Sequence, residues 1–228
     1  MTRPTTLAFA ALAVADSLLA ASDSRASHGA RQVTKSALLP LLALDSRAAA
    51  AGRTSTLLRG VRAAQGFCWL GDVALLGTSE RRFLLGLGSF AAAHASYIAA
   101  FAGSRDPAAT VRDPGVLASA ALFAAIGPGM AARARRQDPA LTVPVLGYAG
   151  IITAMLATST SLDRAFPPGA RARIVSGSAL FVLSDTILAL EKFARSGVGH
   201  GPLDTAVMAT YTAGQWLIAD GAVRTLTP

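Results

Sequence analysis

Three uncharged windows of the sequence are each long enough to cross a lipid bilayer as a single helix. They cover residues 83–104, 114–132 and 139–162. A helix needs about 20 mainly apolar residues to span the hydrocarbon core, and its backbone hydrogen bonds are then satisfied within the segment. A soluble domain has no reason to carry several such windows. The pattern therefore predicts a helical membrane protein.

The composition and charge distribution agree with this class. Only 15% of the 228 residues are charged and 52% are hydrophobic, whereas a soluble domain carries about 25% charged residues. The net charge of +8 does not indicate nucleic-acid binding, because the arginines stand in small groups at segment ends. Arginine at such positions reaches headgroups or sets topology. The basic residues divide almost equally between the two sides, so they predict no orientation.

Eight hydrophobic segments follow one another with short connections. They lie at about 5–22, 36–52, 60–79, 83–103, 114–132, 140–160, 172–191 and 204–224. Short connections favour antiparallel neighbours and leave no room for a soluble domain. We therefore expect an all-α, polytopic protein, a compact bundle of about eight transmembrane helices that forms one integral-membrane domain over residues 1–228. The first segment also has features of a signal peptide, but Asp16 within it favours a retained helix.

Ionisable residues interrupt three of the segments near their middles. They are Asp72, His94 and Asp185. A charged side chain at the centre of a membrane costs at least about 2.5–3.5 kcal/mol, so such residues usually mark a functional site. These three are the first candidates for a site.

Further polar and aromatic residues fall on the same helix faces at spacings of three and four. Residues so spaced are neighbours on a helix surface, and a face that carries histidine and tyrosine is not expected to meet lipid. Together these faces predict a polar pocket inside the bundle. The alternative is that they only hold helices together by hydrogen bonds. The groups are Phe90, His94, Tyr97 and Phe101; Gln65, Cys68, Trp69 and Asp72; Ser178, Phe181 and Asp185; and Tyr211 with Gln215.

Several other site chemistries fit the sequence poorly. His28 and His200 lie in predicted loops, so three histidines are not expected to converge on zinc. The single Cys68 excludes an intramolecular disulfide. There is neither a G-x-S-x-G motif nor a phosphate-binding glycine loop. Paired carboxylates remain, and we expect neither a metal nor an organic cofactor.

Ordered motifs along the chain resemble the YhhN-type lysoplasmalogenases. The motifs are Lys35-Ser-Ala-Leu-Leu-Pro40; Gly71-Asp72-Val-Ala-Leu-Leu76; Phe83-x-x-Gly86-Leu87-x-Ser89-Phe90-x-x-x-His94-x-x-Tyr97-Ile98; Ser184-Asp185; and Tyr211-x-x-x-Gln215. The resemblance extends over nearly the whole chain. One departure is Ser36 after Lys35, where Lys-Pro would be expected, and it leaves the start of the second helix open.

The resemblance implies a membrane hydrolase that cleaves the vinyl-ether bond of lysoplasmalogens. The products would be a fatty aldehyde and glycerophosphoethanolamine or glycerophosphocholine. The partners implied are a lysophospholipid substrate and membrane lipids, without nucleic acid. The abundance of alanine and arginine is typical of a GC-rich bacterial genome, so we expect a bacterial plasma membrane. Headgroup preference and oligomeric state are not predicted.

Vinyl-ether hydrolysis is suited to a pair of carboxyl groups. The alkene is protonated on carbon, and water captures the oxocarbenium ion. One carboxylic acid would donate the proton, and one carboxylate would stand near the developing cation. Two neighbouring buried acids can hold a single proton between them. We therefore predict that Asp72 and Asp185 meet across the third and seventh helices, without deciding which is the donor.

The remaining candidates would bind or orient the substrate. His94 and Tyr97 are expected to orient the water or the glycerol hydroxyl. Tyr211 and Gln215 are expected to bind the polar backbone of the lipid, and Lys35, near a helix end, to meet its phosphate. Two other functions stay open. One is a proton-coupled transporter of lipids or small molecules, and the other is a non-catalytic membrane protein.

Overall fold

The chain is mainly helical within the residues that the computed structural model describes, which are 3–22, 24–194 and 201–226. Within these ranges it forms eight α-helices and no β-strand, which confirms the all-α prediction. The helices are α1 Pro4–Ala20, α2 Arg25–Ala50, α3 Thr56–Leu75, α4 Glu80–Ala102, α5 Pro114–Gln137, α6 Thr142–Thr160, α7 Pro168–Ala194 and α8 Pro202–Arg224. A short 3-10 helix, Pro139–Leu141, precedes α6.

Four of these helical stretches are long and apolar enough to cross a membrane. They are Leu84–Ala102 in α4, Pro114–Gln137, Pro139–Thr160 and Pro168–Phe193 in α7. Helix α1 is apolar but shorter. The other three described helices, α2, α3 and α8, are not among the stretches that are apolar enough to cross a membrane. Length and composition therefore support four spans among the described residues, where the sequence analysis expected about eight.

Helix α2 is longer than expected, because it begins at Arg25 instead of near residue 36. The side chain of Ser24 caps it by accepting a hydrogen bond from the backbone N–H of Ser27 at 3.0 Å. The added turns are rich in arginine, alanine, glutamine and lysine, which are good helix formers. Their charge led to the prediction of a loop. Lys35 consequently lies well inside α2 and not near a helix end.

Contacts between helix ends define two faces of the bundle. On the first face Arg53 Nη1, after α2, donates to the carbonyl oxygen of Leu226, after α8, at 3.1 Å. Arg3, before α1, likewise pairs with Asp45 near the end of α2. On the opposite face Gln137, which ends α5, donates to a carbonyl near the end of α7 at 3.1 Å. The helices therefore alternate in direction, as short connections require.

Glycines allow α7 and α8 to pack with their backbones almost in contact. A Cβ atom on Gly177 would lie 2.7 Å from the carbonyl oxygen of Gly214, and one on Gly214 would lie 2.8 Å from that of Gly177. Small residues allow such an approach between membrane helices. This packing sets the position of Asp185 on α7 relative to Tyr211 on α8.

Candidate active site

A cavity of about 500 Å³ lies between α2 and α8 and is lined by all of the helices from α2 to α8. Its volume falls within the range of about 300–1,000 Å³ typical of small-molecule sites. Apolar residues such as Leu87, Met130 and Ile152 form much of the wall. The cavity is therefore suited to a ligand with a polar head and an apolar tail. The polar lining residues are Arg31, Lys35, Asp72, Tyr148, Ser184, Asp185, Thr186, Lys192, Asp204 and Tyr211.

The cavity lies towards one face of the bundle, the face opposite the end of α8. Its lining comes from the first halves of α2, α4 and α8 and from the second halves of α3, α5 and α7. Asp72 is in the last turn of α3, which ends at Leu75, and not near the middle of a span as the sequence suggested. The polar part of the site is thus closer to a helix end than expected.

Asp72 is held by partners from two other helices. Tyr211 of α8 donates a hydrogen bond of 2.7 Å to Oδ2. The ammonium nitrogen of Lys35 on α2 lies 3.3 Å from Oδ1. The aspartate itself is buried. One carboxyl oxygen of Asp72 thus faces a cation and the other accepts from a hydroxyl group.

Asp185 has a different set of partners. Tyr148 of α6 donates to its Oδ2 at 3.0 Å, and His94 Nε2 of α4 lies 3.4 Å from the same oxygen. The His94 nitrogen is also 3.2 Å from the Tyr148 hydroxyl. No lysine or arginine of the described residues pairs with this carboxyl group. Its side chain is 12% exposed, towards the cavity, whereas His94 is completely buried.

The two aspartates line the same cavity without touching each other. Among the described residues no hydrogen bond joins Asp72 to Asp185, and each has its own partners. Both side chains line one cavity, but the direct contact across α3 and α7 that the sequence analysis predicted is not seen among the described residues. One carboxyl group is paired with a cation and the other is placed beside a histidine. That the two act as an acid pair stays a prediction.

Two predicted substrate-binding residues lie behind the cavity wall. Tyr97 donates a hydrogen bond of 2.7 Å to Oε1 of Gln215, and Gln65 Nε2 is 3.3 Å from the same oxygen. Neither Tyr97 nor Gln215 lines the cavity, and both are fully buried. The predicted direct contact with substrate therefore does not match this arrangement. These residues join α3, α4 and α8 behind Asp72 and Tyr211.

Tyr148 and Arg31 are among the polar cavity residues that the sequence analysis missed. Tyr148 is the only aromatic residue in the uncharged window 139–162, and that isolation was the available signal. Arg31 was assigned to a loop because α2 was predicted to begin later. It lines the cavity one helical turn from Lys35. Within the described parts of the chain, no group of three or more histidine, cysteine, aspartate or glutamate side chains could hold a metal ion.

Comparison with known proteins identifies the family of the chain. A family model described as the YhhN family matches residues 30–222. The chain belongs to the YhhN family. The match includes the residues around Asp72 and Asp185, whereas α1 lies outside it. The resemblance inferred from the motifs around Asp72 and His94 is thus confirmed.

A similar protein of established name is the human lysoplasmalogenase TMEM86B. This YhhN chain is 33% identical to it over 159 residues, which is 70% of the present chain and 61% of the human protein. The chain thus spans less than two thirds of that relative. No solved structure matches the chain.

Proposed function

We propose that this YhhN protein is a membrane-embedded hydrolase that cleaves the vinyl-ether bond of lysoplasmalogens. The observation that carries the proposal is the pair Asp72 and Asp185, two carboxyl groups with unlike partners on one amphipathic cavity. The name of the human relative supports a lysoplasmalogen as substrate. The products are a fatty aldehyde and glycerophosphoethanolamine or glycerophosphocholine.

The partners of the two carboxyl groups suggest different roles for them. Asp72 is ion-paired with Lys35 and hydrogen-bonded by Tyr211, so it serves as the carboxylate. Asp185 faces the cavity beside His94 and Tyr148, so it serves as the proton donor. The sequence analysis left this choice open. The difference in charge environment between the two groups is the reason for the assignment.

The proposed reaction returns both carboxyl groups to their starting states. The acid form of Asp185 protonates the alkene carbon that is remote from the ether oxygen, and an oxocarbenium ion forms. Water attacks the cationic carbon while the carboxylate of Asp72 takes a proton from it, giving a neutral hemiacetal. Asp72 then protonates the departing glycerol oxygen, and Asp185 removes the hemiacetal proton. The C–O bond breaks and the aldehyde is released.

The other residues position these groups. His94 and Tyr148 hold Asp185 and stabilise the carboxylate that forms when it gives up its proton. Tyr211 and Lys35 hold Asp72. Removal of a general acid or base, here Asp185 or Asp72, typically lowers the rate by about 10²–10⁴-fold.

The site suggests how the protein sits in its membrane. We place all eight described helices in one multi-pass domain, with the polar lining near one membrane surface. The apolar part of the cavity wall receives the hydrocarbon chain. The amino-acid composition favours the plasma membrane of a bacterium.

The position of the transferred proton tests the proposed chemistry. Hydrolysis in D2O should place one deuterium on the α-carbon of the aldehyde, the carbon bonded to the carbonyl carbon. The aldehyde is reduced to the alcohol as it forms, so that later exchange cannot add the label, and mass spectrometry then counts the deuterium. Aldehyde released without deuterium would exclude protonation on carbon.

A proton-coupled transporter of lipids is the second candidate. The buried ion pair between Lys35 and Asp72 favours it, because such pairs also occur in proton pathways. Flux driven by a pH gradient in proteoliposomes, with no release of aldehyde, would select this alternative.

A further inference from the structure

Beside the carboxyl groups, α2 presents two cations to the cavity. We propose that Arg31, together with Lys35, binds the phosphodiester of the lysolipid, and that Asp16 of α1 holds Arg31 in place. The inference rests on the proposed function, since it names the part of that substrate which this helix recognises. It assigns a role to Arg31 and also to α1, which lies outside the family match.

Arg31 retains hydrogen-bond donors for a ligand. It lines the cavity, and its side chain is 23% exposed. It donates no hydrogen bond to any of the described residues, and its Nε is buried without an acceptor. A guanidinium carries five N–H donors in a fixed planar fork that matches the oxygens of a phosphate. A partly buried arginine with unused donors beside a cavity is suited to an anionic ligand.

Asp16 supplies charge to Arg31 without using its donors. Its Oδ1 lies 3.6 Å from Arg31 Nε, which is an ion pair but too long for a hydrogen bond. The same oxygen accepts a hydrogen bond of 2.6 Å from Thr34. Asp16 is completely buried, and its Oδ2 has no partner among the described residues. The carboxylate can therefore stabilise the partly buried guanidinium while its terminal N–H groups stay available.

Lys35 connects this subsite to the proposed reaction centre. It is one helical turn from Arg31 on the same face of α2, and its ammonium nitrogen lies 3.3 Å from Asp72. In a lysoplasmalogen the three glycerol carbons separate the phosphate from the vinyl ether. A phosphate at Arg31 and Lys35 would therefore bring the ether bond close to Asp72. The apolar wall at Leu87, Met130 and Ile152 would receive the chain.

Binding of two lipids that cannot be hydrolysed tests the subsite. The probes are 1-O-hexadecyl-glycerophosphoethanolamine and 1-O-hexadecylglycerol, whose saturated ethers lack the reactive alkene. Each displaces a fluorescent lysolipid from the purified full-length protein in a neutral detergent. Wild type should bind the phospholipid at least about tenfold more tightly than the glycerol ether. Arg31→Gln should lose about tenfold or more of this preference, because a hydrogen-bonded charge pair is lost.

Matched variants separate recognition from folding. Arg133→Gln removes an exposed arginine from the same face of the bundle and should keep the full preference. Arg31→Lys keeps the positive charge but loses the planar pair of N–H donors, so it should keep part of the preference for the phospholipid. It also takes the place of Arg31→Gln if that variant does not fold. Asp16→Asn should lower the preference in the wild-type background but have no further effect alongside Arg31→Gln.

The preference for phosphate, and not activity, decides the proposal. The proposal would be overturned if Arg31 variants kept the wild-type preference for the phospholipid. It would also be overturned if the wild type bound both lipids equally. Displacement by inorganic phosphate as effective as that by the lipid would overturn the assignment to a lysolipid. A preference that depends on Arg31, in a protein that releases no aldehyde, would support the phosphate subsite while refuting the proposed hydrolase.

Discussion

Tyr148 offers the sharpest test of how Asp185 is controlled. Its hydroxyl donates to Asp185 Oδ2 at 3.0 Å and lies 3.2 Å from His94 Nε2. Tyr148→Phe removes only that oxygen. The ring can remain edge-on to His94, where the two ring centres are 5.5 Å apart. The substitution therefore changes the hydrogen bonds of Asp185 with little change in packing.

The expected size of the effect follows from the charge that Asp185 acquires. In the proposed reaction Asp185 becomes a carboxylate when it protonates the alkene. A hydrogen bond to a charged group contributes about 1.5–3 kcal/mol. Loss of the Tyr148 hydroxyl should remove that stabilisation from the transition state, and kcat should fall about tenfold to a hundredfold. His94 still faces Asp185, so activity should not vanish.

The assay is the rate of aldehyde release at saturating lysoplasmalogen, measured in H2O and in D2O. Tyr148→Phe should lower kcat and keep a solvent isotope effect at least as large as that of wild type, because proton transfer to carbon becomes slower. Binding of the saturated-ether analogue should change little. The bond that is lost does not involve the phosphate or the chain of the substrate.

Tyr97→Phe is the matched control. It also removes one buried tyrosine hydroxyl, which donates to Gln215 at 2.7 Å behind the cavity wall. We expect some loss of stability and a nearly unchanged kcat. Equal losses of kcat in both variants would show that the effect of Tyr148 is structural. A Tyr148→Phe protein with wild-type kcat would refute the proposed link between Tyr148 and Asp185.

Two stability predictions use melting of the purified protein in detergent. Lys35→Met should destabilise the fold by about 3–5 kcal/mol, because it leaves the buried Asp72 without its cation. Adding Asp72→Asn should restore part of this stability. A wild-type melting temperature in the single variant would contradict the buried pair. Gly177→Ala should lower the free energy of unfolding by about 1–3 kcal/mol, because the new Cβ meets the Gly214 backbone. Gly88→Ala should be tolerated, because a Cβ at that position has no neighbouring atom within 4 Å. Similar melting temperatures for the two alanine variants would argue against the close α7–α8 contact.

Hydropathy predicted the bounds of a helix well where the segment is apolar and uncharged. The window 139–162 corresponds closely to the 3-10 helix and α6. The first turns of α2 were missed because a count of charges treats Arg31 and Lys35 as the end of a span. In the structure these side chains are partnered from other helices, by Asp16 and Asp72. Local sequence does not contain that pairing.

The candidate site was only partly predictable for a related reason. Asp72 and Asp185 stood out because a carboxyl group is costly in an apolar segment. Which residues would reach them depends on how the helices rotate and pack. Tyr148 was therefore overlooked, and Gln215 was expected in the cavity although it is buried behind it. Helix periodicity identifies a face but not the neighbour that the face meets.

We propose that Asp72 and Asp185, two of the aspartates that line the cavity, carry out vinyl-ether hydrolysis. The direct measurement is aldehyde release from a lysoplasmalogen by purified wild type, Asp72→Asn and Asp185→Asn, with Asp220→Asn as control. Asp220 is also an ion-paired aspartate, but it pairs with Arg173 away from the cavity.

We predict that wild type and Asp220→Asn release aldehyde. The two cavity variants, folded by circular dichroism, should be slower by about 10²–10⁴-fold. Equal release by all four proteins would contradict the proposed site. No release by well-folded wild type, from either the ethanolamine or the choline substrate, would contradict the proposed function.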